Sequence, residues 1–221
     1  MTRRDPAIQR QSIGDLRRAE LIDAAILMLA QKGYENTTVR DVAQAAGASP
    51  ASVLYYFEST EVLLAAAFER ADREFRDHVR SELAPLNGTA RLERLVELCL
   101  PTPGEASPAW AIEMDLWALA ARRGDFRTMF GAANDDWLSI IGEAFDQAIG
   151  AGELTKLDNV RDTVVALAAL IDGLAVYTRV TDGITAEQAR RIALLEVERL
   201  RTPKKPGARA GRPPASGGRA A

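Results

Sequence analysis

Cysteine and histidine are almost missing from this 221-residue chain, which holds one of each, Cys99 and His78. One cysteine excludes an intrachain disulfide and fits a reducing compartment, and with one histidine beside it a conventional zinc site lacks ligands. A carboxylate di-metal site fails too, because the position three residues before His78, where such sites place a glutamate, is Phe75. No metal and no cofactor is expected. Also missing are a phosphate-cradling glycine loop, a Gly-x-Ser-x-Gly elbow and any nucleophile-histidine arrangement beyond His78 itself, so the chain does not read as an enzyme. No uninterrupted apolar run nears the roughly 18 residues of a membrane span, and Met1-Thr-Arg-Arg-Asp5 leads into no apolar signal segment. The expectation is a cytoplasmic protein with no membrane contact.

What is present is a chain with 47% hydrophobic residues, enough to bury one large core or two small ones. Its net charge of −3 is uneven: residues 201–221 carry six basic residues and no acid, which leaves −9 over the rest. Residues 1–57 are close to balanced, with seven basic and six acidic side chains. A nucleic-acid surface there would be local, with acidic bulk behind it discouraging indiscriminate contact.

Apolar residues recur at helical spacing throughout, without sustained alternation or hairpin turns, so the fold class is all-α. Ile22, Ala25, Ile26 and Leu29 mark a first helix over about Asp15–Lys32, stopped by Gly33. Two short helices follow around a glycine turn. Thr37 or Thr38 can cap the first, on which Val42, Ala43 and Ala46 face inward, and Gly47 ends it. Ser49 then caps a second helix with Pro50 at its first position, running to about Phe57 and turning Ser52, Tyr55 and Tyr56 outward. This is a helix-turn-helix of the DNA-reading kind.

Ser59 and Glu61 start a long fourth helix that runs to about Leu83 before the Pro85–Thr89 break. Further helices are expected at about 90–100, 108–123, 126–150, 159–181 and 186–201, the last opened by the capping box Thr185-Ala-Glu-Gln188. Four segments result: a flexible basic arm at 1–14, a DNA-binding domain at 15–57, a ligand-binding and dimerisation domain at 58–202, and a disordered basic tail at 203–221. Within that tail Gly211-Arg212-Pro213 has the form of a minor-groove hook, beside the plainer reading of a flexible, phosphate-attracted tail.

The two last helices carry apolar surfaces wider than one stripe. Leu167, Leu170, Ile171 and Leu174 on one, with Ile192 and Leu195 on the other, can therefore serve both the chain's core and a two-fold interface with a second copy. Trp110, Met114, Trp117, Phe126, Phe130, Trp137 and Tyr177 are candidate linings of a pocket for a partly apolar effector, drug-sized or aromatic. Asp172, inside an apolar run, needs a partner such as Arg179 or a subunit contact. Glu113 and Asp115 suit a cationic ligand, but on successive sides of one helix they cannot both face it. His78 and Cys99 read as structural.

The stretch Thr38–Leu64, with its Gly47-Ala-Ser49 turn, Tyr56-Phe57, Ser59 and Glu61-Val-Leu-Leu64, resembles the N-terminal domain of tetracycline-repressor (TetR) family regulators. The remainder is similar to their ligand-binding and dimerising domain, and around Trp110–Trp117 and Leu170–Leu174 to the betaine-inhibitor-type branch. The resemblance implies that Pro50–Tyr56 enters the major groove of a palindromic operator as a homodimer and that a small molecule releases it. It also assigns DNA contact to Thr38, Arg40, Ser49, Pro50, Ala51, Ser52, Tyr55, Tyr56, Ser59 and Thr60, with Ser52 and Tyr55 on base edges and Tyr56 on a phosphate. Ala51, Leu54 and Thr60 depart from the family's usual glycine, tyrosine and lysine. Losing the lysine shifts phosphate contact to Arg3, Arg4, Arg10, Arg17 or Arg18, and keeps open a helical adaptor or ligand-binding dimer that no longer reads DNA.

Overall fold

A computed structural model describes residues 6–100, 108–155 and 157–202. Its described residues form nine helices: α1 (Pro6–Lys32), α2 (Val39–Ala45), α3 (Pro50–Tyr56), α4 (Thr60–Leu83), α5 (Thr89–Cys99), α6 (Pro108–Ala120), α7 (Gly124–Gly150), α8 (Val160–Val180) and α9 (Ala186–Arg199). The only β-type pairing among them is one antiparallel bridge, Leu154 with Arg201. The all-α expectation holds.

Local chemistry sets the boundaries. Thr38 and Asp41 form a reciprocal cap at α2: the Asp41 N–H donates to Thr38 Oγ1 at 3.3 Å and the Thr38 N–H to Asp41 Oδ2 at 2.9 Å. Past the end of α2, Gly47 stands at φ +58°, and the Ala48 N–H reaches back to the Ala43 carbonyl at 2.8 Å. That left-handed position suits glycine because a Cβ there would crowd the following carbonyl. Ser49 Oγ accepts the Ser52 N–H at 3.1 Å, and Pro50 occupies the first turn of α3. At α9, Thr185 and Gln188 form the anticipated capping box.

The largest difference is at α1, which begins at Pro6 rather than Asp15. Pro6 suits a first helical turn, and Gly14 weakens a helix by only about 1 kcal/mol relative to alanine, too little to stop one this long. Residues 6–14, expected within a flexible arm, are thus helical, while residues 1–5, with Arg3 and Arg4, lie outside the described set. The basic tail and Gly211-Arg212-Pro213 also lie outside it.

Two apolar cores result. One joins α1–α3 to the first half of α4 through Leu21, Leu29, Val42, Val53, Phe57, Leu63 and Phe68, and also takes in Ile112, Leu116 and Ala120 of α6 and Phe126 of α7. The other packs α5, α7, α8 and α9 around Leu92, Leu95, Ile141, Phe145, Ile171 and Val197. The reading unit is thus not closed at residue 57, because α6 and α7 complete its core. Full burial of Phe57 and Phe68 contributes on the order of 2–3 kcal/mol each.

By length and composition α8 is apolar enough to cross a membrane. Here its Val164, Leu167, Ala168, Ile171, Leu174 and Ala175 are buried in the second core. That placement corrects the expected interface. Leu167, Ile171 and Leu174 point into the chain's own core and Leu170 packs against it half-buried, whereas Val165, Tyr177, Val180, Ile192 and Leu195 remain outward. An apolar surface wider than a stripe had made the two sides of α8 look alike in sequence.

Candidate functional site

Two sites emerge, and one wall joins them. At the first, α3 stands out from the molecule: Tyr55 is 83% exposed, and Leu54, Pro50 and Ala51 are exposed with it. Ser52 and Tyr56 are half-buried, with Tyr56 packed against the core and its ring perpendicular to that of Tyr55 at 5.2 Å. Thr38, Arg40 and Ser49 are exposed, while Ser59 and Thr60 are half-buried at the start of α4, where Ser59 Oγ accepts the Val62 N–H. Of the expected DNA-facing set, then, Thr38, Arg40, Ser49, Pro50, Ala51 and Tyr55 are exposed, and Ser52, Tyr56, Ser59 and Thr60 are half-buried.

Cations from α1 reach the same end. The Arg17 guanidinium donates to the Gly47 carbonyl at 3.4 Å, and Arg18 lies over the Phe57 ring at 4.8 Å. Lys32, by contrast, is tied to Asp41, whose carboxyl is held well below the usual range by that lysine and by Thr38. Thr60 supplies no cation, and of the two α1 arginines at this end Arg17 is paired with Glu20.

The second site is a partly open cavity of about 70 Å³ lined by residues of α4, α5, α6, α7 and α8. Trp110, Trp117, Phe130 and Trp137 line it as expected, joined by Phe68 and Phe75. The Trp110 and Trp117 rings meet edge to face at 5.9 Å, and the Trp110 indole N–H is fixed on the Cys99 carbonyl at 2.9 Å. This space is smaller than the roughly 300–1,000 Å³ of pockets for drug-sized molecules.

Three anticipated linings lie elsewhere. Phe126 belongs to the reading-head core, edge to face with Tyr34 and Phe68; Tyr177 is 59% exposed on the outer side of α8; Met114 does not reach the cavity. On α6, residues two apart lie on roughly opposite faces of the helix, so neighbours in sequence part company. The carboxylates Glu113 and Asp115 divide this way. Glu113 enters the cavity and accepts the Trp117 indole N–H at 2.9 Å, while Asp115 accepts the backbone N–H of Tyr34 at 2.7 Å in the turn after α1.

Sequence reasoning missed the acidity of the cavity. Asp72 of α4, Glu113 of α6 and Asp172 of α8 all line it. Asp172 has no ion-pair partner among the described residues; Arg179, its expected partner, lies over the Trp110 ring at 5.7 Å instead. Burial pushes all three carboxyls up, Glu113 to about 7, with the neighbouring Asp72 adding to the effect, and Asp172 to about 6. Cys99, fully buried beside them, has its thiol pushed up by the same cause. Among the described residues no cluster of histidine, cysteine or carboxylate side chains could hold a metal ion.

The single cation in the lining, Arg76, is already engaged. It is paired with Asp72, donates to the Ala133 carbonyl at 3.2 Å, and has its Nε 2.9 Å from Asp136, a charge contact without hydrogen-bond alignment. A second hollow of about 250 Å³ shares Phe68, Asp72, Arg76, Leu116 and Ala133 and extends past the exposed Glu69 and Arg73. The Asp72–Arg76 pair therefore stands between the cavity and solvent. The sequence carried a signal here: Asp72 interrupts the apolar face that Phe68, Phe75 and Val79 form on α4.

Phe68, Ile112 and Leu116 belong both to the reading-head core and to the cavity lining. A DNA-reading head whose own core forms one wall of an aromatic, acidic cavity defines a helix-turn-helix regulator with an internal sensor. The comparisons agree. Residues 21–67 match the bacterial regulatory proteins of the tetR family, and residues 88–202 match the BetI-type transcriptional repressor C-terminal domain. The chain belongs to the TetR family of transcriptional regulators, in its BetI-type branch.

Among curated relatives, the regulator BetI of Cronobacter sakazakii is 28% identical over 162 residues, covering 72% of this chain and 77% of that protein. PksA of Bacillus subtilis is 25% identical over 191 residues, covering 83% and 89%. Among solved structures, a transcriptional regulator from Saccharomonospora viridis in complex with choline is 27% identical, with a TM-score of 0.76 over 83% of this chain and 96% of that one. A TetR-family regulator from Rhodococcus sp. is 26% identical, with a TM-score of 0.72 over 83% and 98%.

Proposed function

We propose that this regulator is a homodimeric repressor whose hold on a palindromic operator is relieved by a small organic cation with a quaternary ammonium head. The observation that carries the effector class is the cavity itself, in which three tryptophans and three carboxylates face one arginine that is already paired. Aromatic faces attract a cation through their quadrupoles, and a quaternary ammonium, lacking N–H groups, needs rings and charge rather than hydrogen-bond acceptors. The choline-bound relative supports the same class.

In this reading Arg40, Ser52, Tyr55 and Tyr56 face the operator, with Thr38, Ser49, Pro50, Ala51, Ser59 and Thr60 around them and Arg17 and Arg18 adding phosphate attraction. Two copies meet on the outward apolar residues of α8 and α9, including Tyr177, Ile192 and Leu195. The site of action is the cytoplasm, beside the chromosome. Helix α6 is the transmitter, since it presents Glu113 and Trp117 to the cavity and holds the Tyr34 turn of the reading head through Asp115. An effector releases DNA only if it binds the splayed arrangement more tightly than the operator-bound one.

The test is calorimetry with choline and tetramethylammonium, paired with gel shifts on the DNA upstream of the regulator's own gene. Saturable binding of either cation together with release of the shifted band is expected. Intact operator binding with no response to any small quaternary ammonium would overturn the effector assignment, and sequence-independent, salt-labile DNA binding would favour the adaptor reading.

A further inference from the structure

We infer that the cavity is proton-linked: the effector cation and a proton compete for the carboxylates of Asp72, Glu113 and Asp172, and Glu113 is the group that gives up its proton when the cation enters. This inference rests on the effector reading above and goes beyond it. Three acids from three helices share one small, largely apolar space with one cation among them. Like charges crowded in a poorly solvated site do not all stay ionised.

The surrounding charges tie up Asp72 and leave Glu113 and Asp172 to titrate, with Glu113 the one that has like-charged neighbours on two sides. From α4, Asp72 is paired with Arg76, and the exposed Arg73 adds weak attraction to it. From α7 comes Asp136, which meets Arg76 outside the lining and is shared with Arg80; Asn134 supplies only a neutral amide. From α5, the Cys99 thiol is buried and neutral. From α8, Asp172 has only burial acting on it, and Arg179 is turned onto Trp110. Glu113 on α6 is left with a single hydrogen bond, from the Trp117 indole, with Asp72 and Asp172 as like-charged neighbours, and with Arg76 as the weakest of its charge contacts. Its carboxyl is raised to about 7, so near neutrality it is half protonated in the empty site.

A quaternary ammonium has no proton to lose. Its entry converts the protonated Glu113 and a free cation into a carboxylate–ammonium contact and one proton passed to solvent, with charge conserved. The regulator would then respond to effector concentration and to pH together. With Glu113 titrating about 7, choline affinity should rise by about tenfold from pH 6 to pH 8.

The experiment is isothermal calorimetry of the full chain with choline at pH 7 in two buffers of different ionisation enthalpy, repeated at pH 6 and pH 8. About half a proton released per cation bound at pH 7 is expected from Glu113. The neutral carbon isostere 3,3-dimethylbutan-1-ol, which fills the same space without charge, should release none and bind no better at pH 8 than at pH 6. Glu113→Gln should abolish most of the release while still binding the isostere, which also reports that the variant is folded. Clear choline binding with no buffer dependence and a flat pH profile would overturn the inference and leave the effector class standing. An isostere that follows the same pH profile as choline would also overturn it, by showing that pH alters the shape of the site. No binding of choline or tetramethylammonium at any pH would overturn the effector class, and this inference with it.

Discussion

The reading head and the cavity are built from different kinds of information. Every turn and cap of the head is specified within about 30 residues of sequence, by Thr38, Gly47, Ser49 and Pro50 and by apolar residues one helical turn apart. The cavity draws Phe68, Asp72, Cys99, Trp110, Glu113, Trp137 and Asp172 from five helices spread over more than 100 residues. The lesson is that a local motif announces what a protein touches, whereas what it senses depends on which faces of distant helices meet. Yet the two regions are not separable, because Phe68, Ile112 and Leu116 serve both.

Phe68 gives the strongest way to break the distinction. It is fully buried, packs on Tyr34 and Phe126, and forms part of the cavity wall. Phe68→Ala should cost about 3–5 kcal/mol and lower the melting temperature by roughly 10 °C, with operator and choline binding weakened together. If only one of the two activities fell in the remaining folded protein, the shared wall would not join them.

A pair of exposed and enclosed aromatics sharpens the comparison from the other side. Tyr55→Ala should weaken operator binding by about 1–3 kcal/mol in gel shifts and leave choline affinity unchanged, since Tyr55 is nearly free of contacts other than Tyr56. Trp117→Ala should lower choline affinity by about 10- to 100-fold while the effector-free protein still binds its operator.

These variants also mark how far the sequence was legible. The helices, their caps and the outward placement of Tyr55 follow from spacing, because capping and glycine turns are decided by near neighbours, whereas Ser52 and Tyr56, expected outward with it, are half-buried. Trp110, Trp117, Phe130 and Trp137 were legible as bulky residues at helical spacing. Phe126 and Tyr177 share that spacing and went elsewhere, because spacing fixes a face and not the helix it meets. Leu167 and Ile171 are likewise buried in the chain's own core. The acidic character of the cavity needed the fold: Asp72 and Asp172 are 100 residues apart in sequence and come to line one cavity only once the helices pack.

A smaller effect isolates the connection itself. Asp115 touches the head and not the cavity, accepting the Tyr34 N–H. Asp115→Ala should cost about 1–3 kcal/mol of stability, leave choline affinity within about twofold, and reduce the ability of saturating choline to displace operator. Full displacement by choline in this variant would move the transmitting contact elsewhere, for instance to the aromatic packing of Tyr34 on Phe68 and Phe126.

The central claim is that one wall couples effector and operator, and linkage makes it directly measurable: choline affinity is compared in the free regulator and in the regulator saturated with operator DNA. Coupling of typical size predicts choline binding about 5- to 150-fold weaker to the DNA-bound form, matched by an equal loss of operator affinity at saturating choline. Equal choline affinity in the two states would contradict the account, however tightly each ligand binds alone.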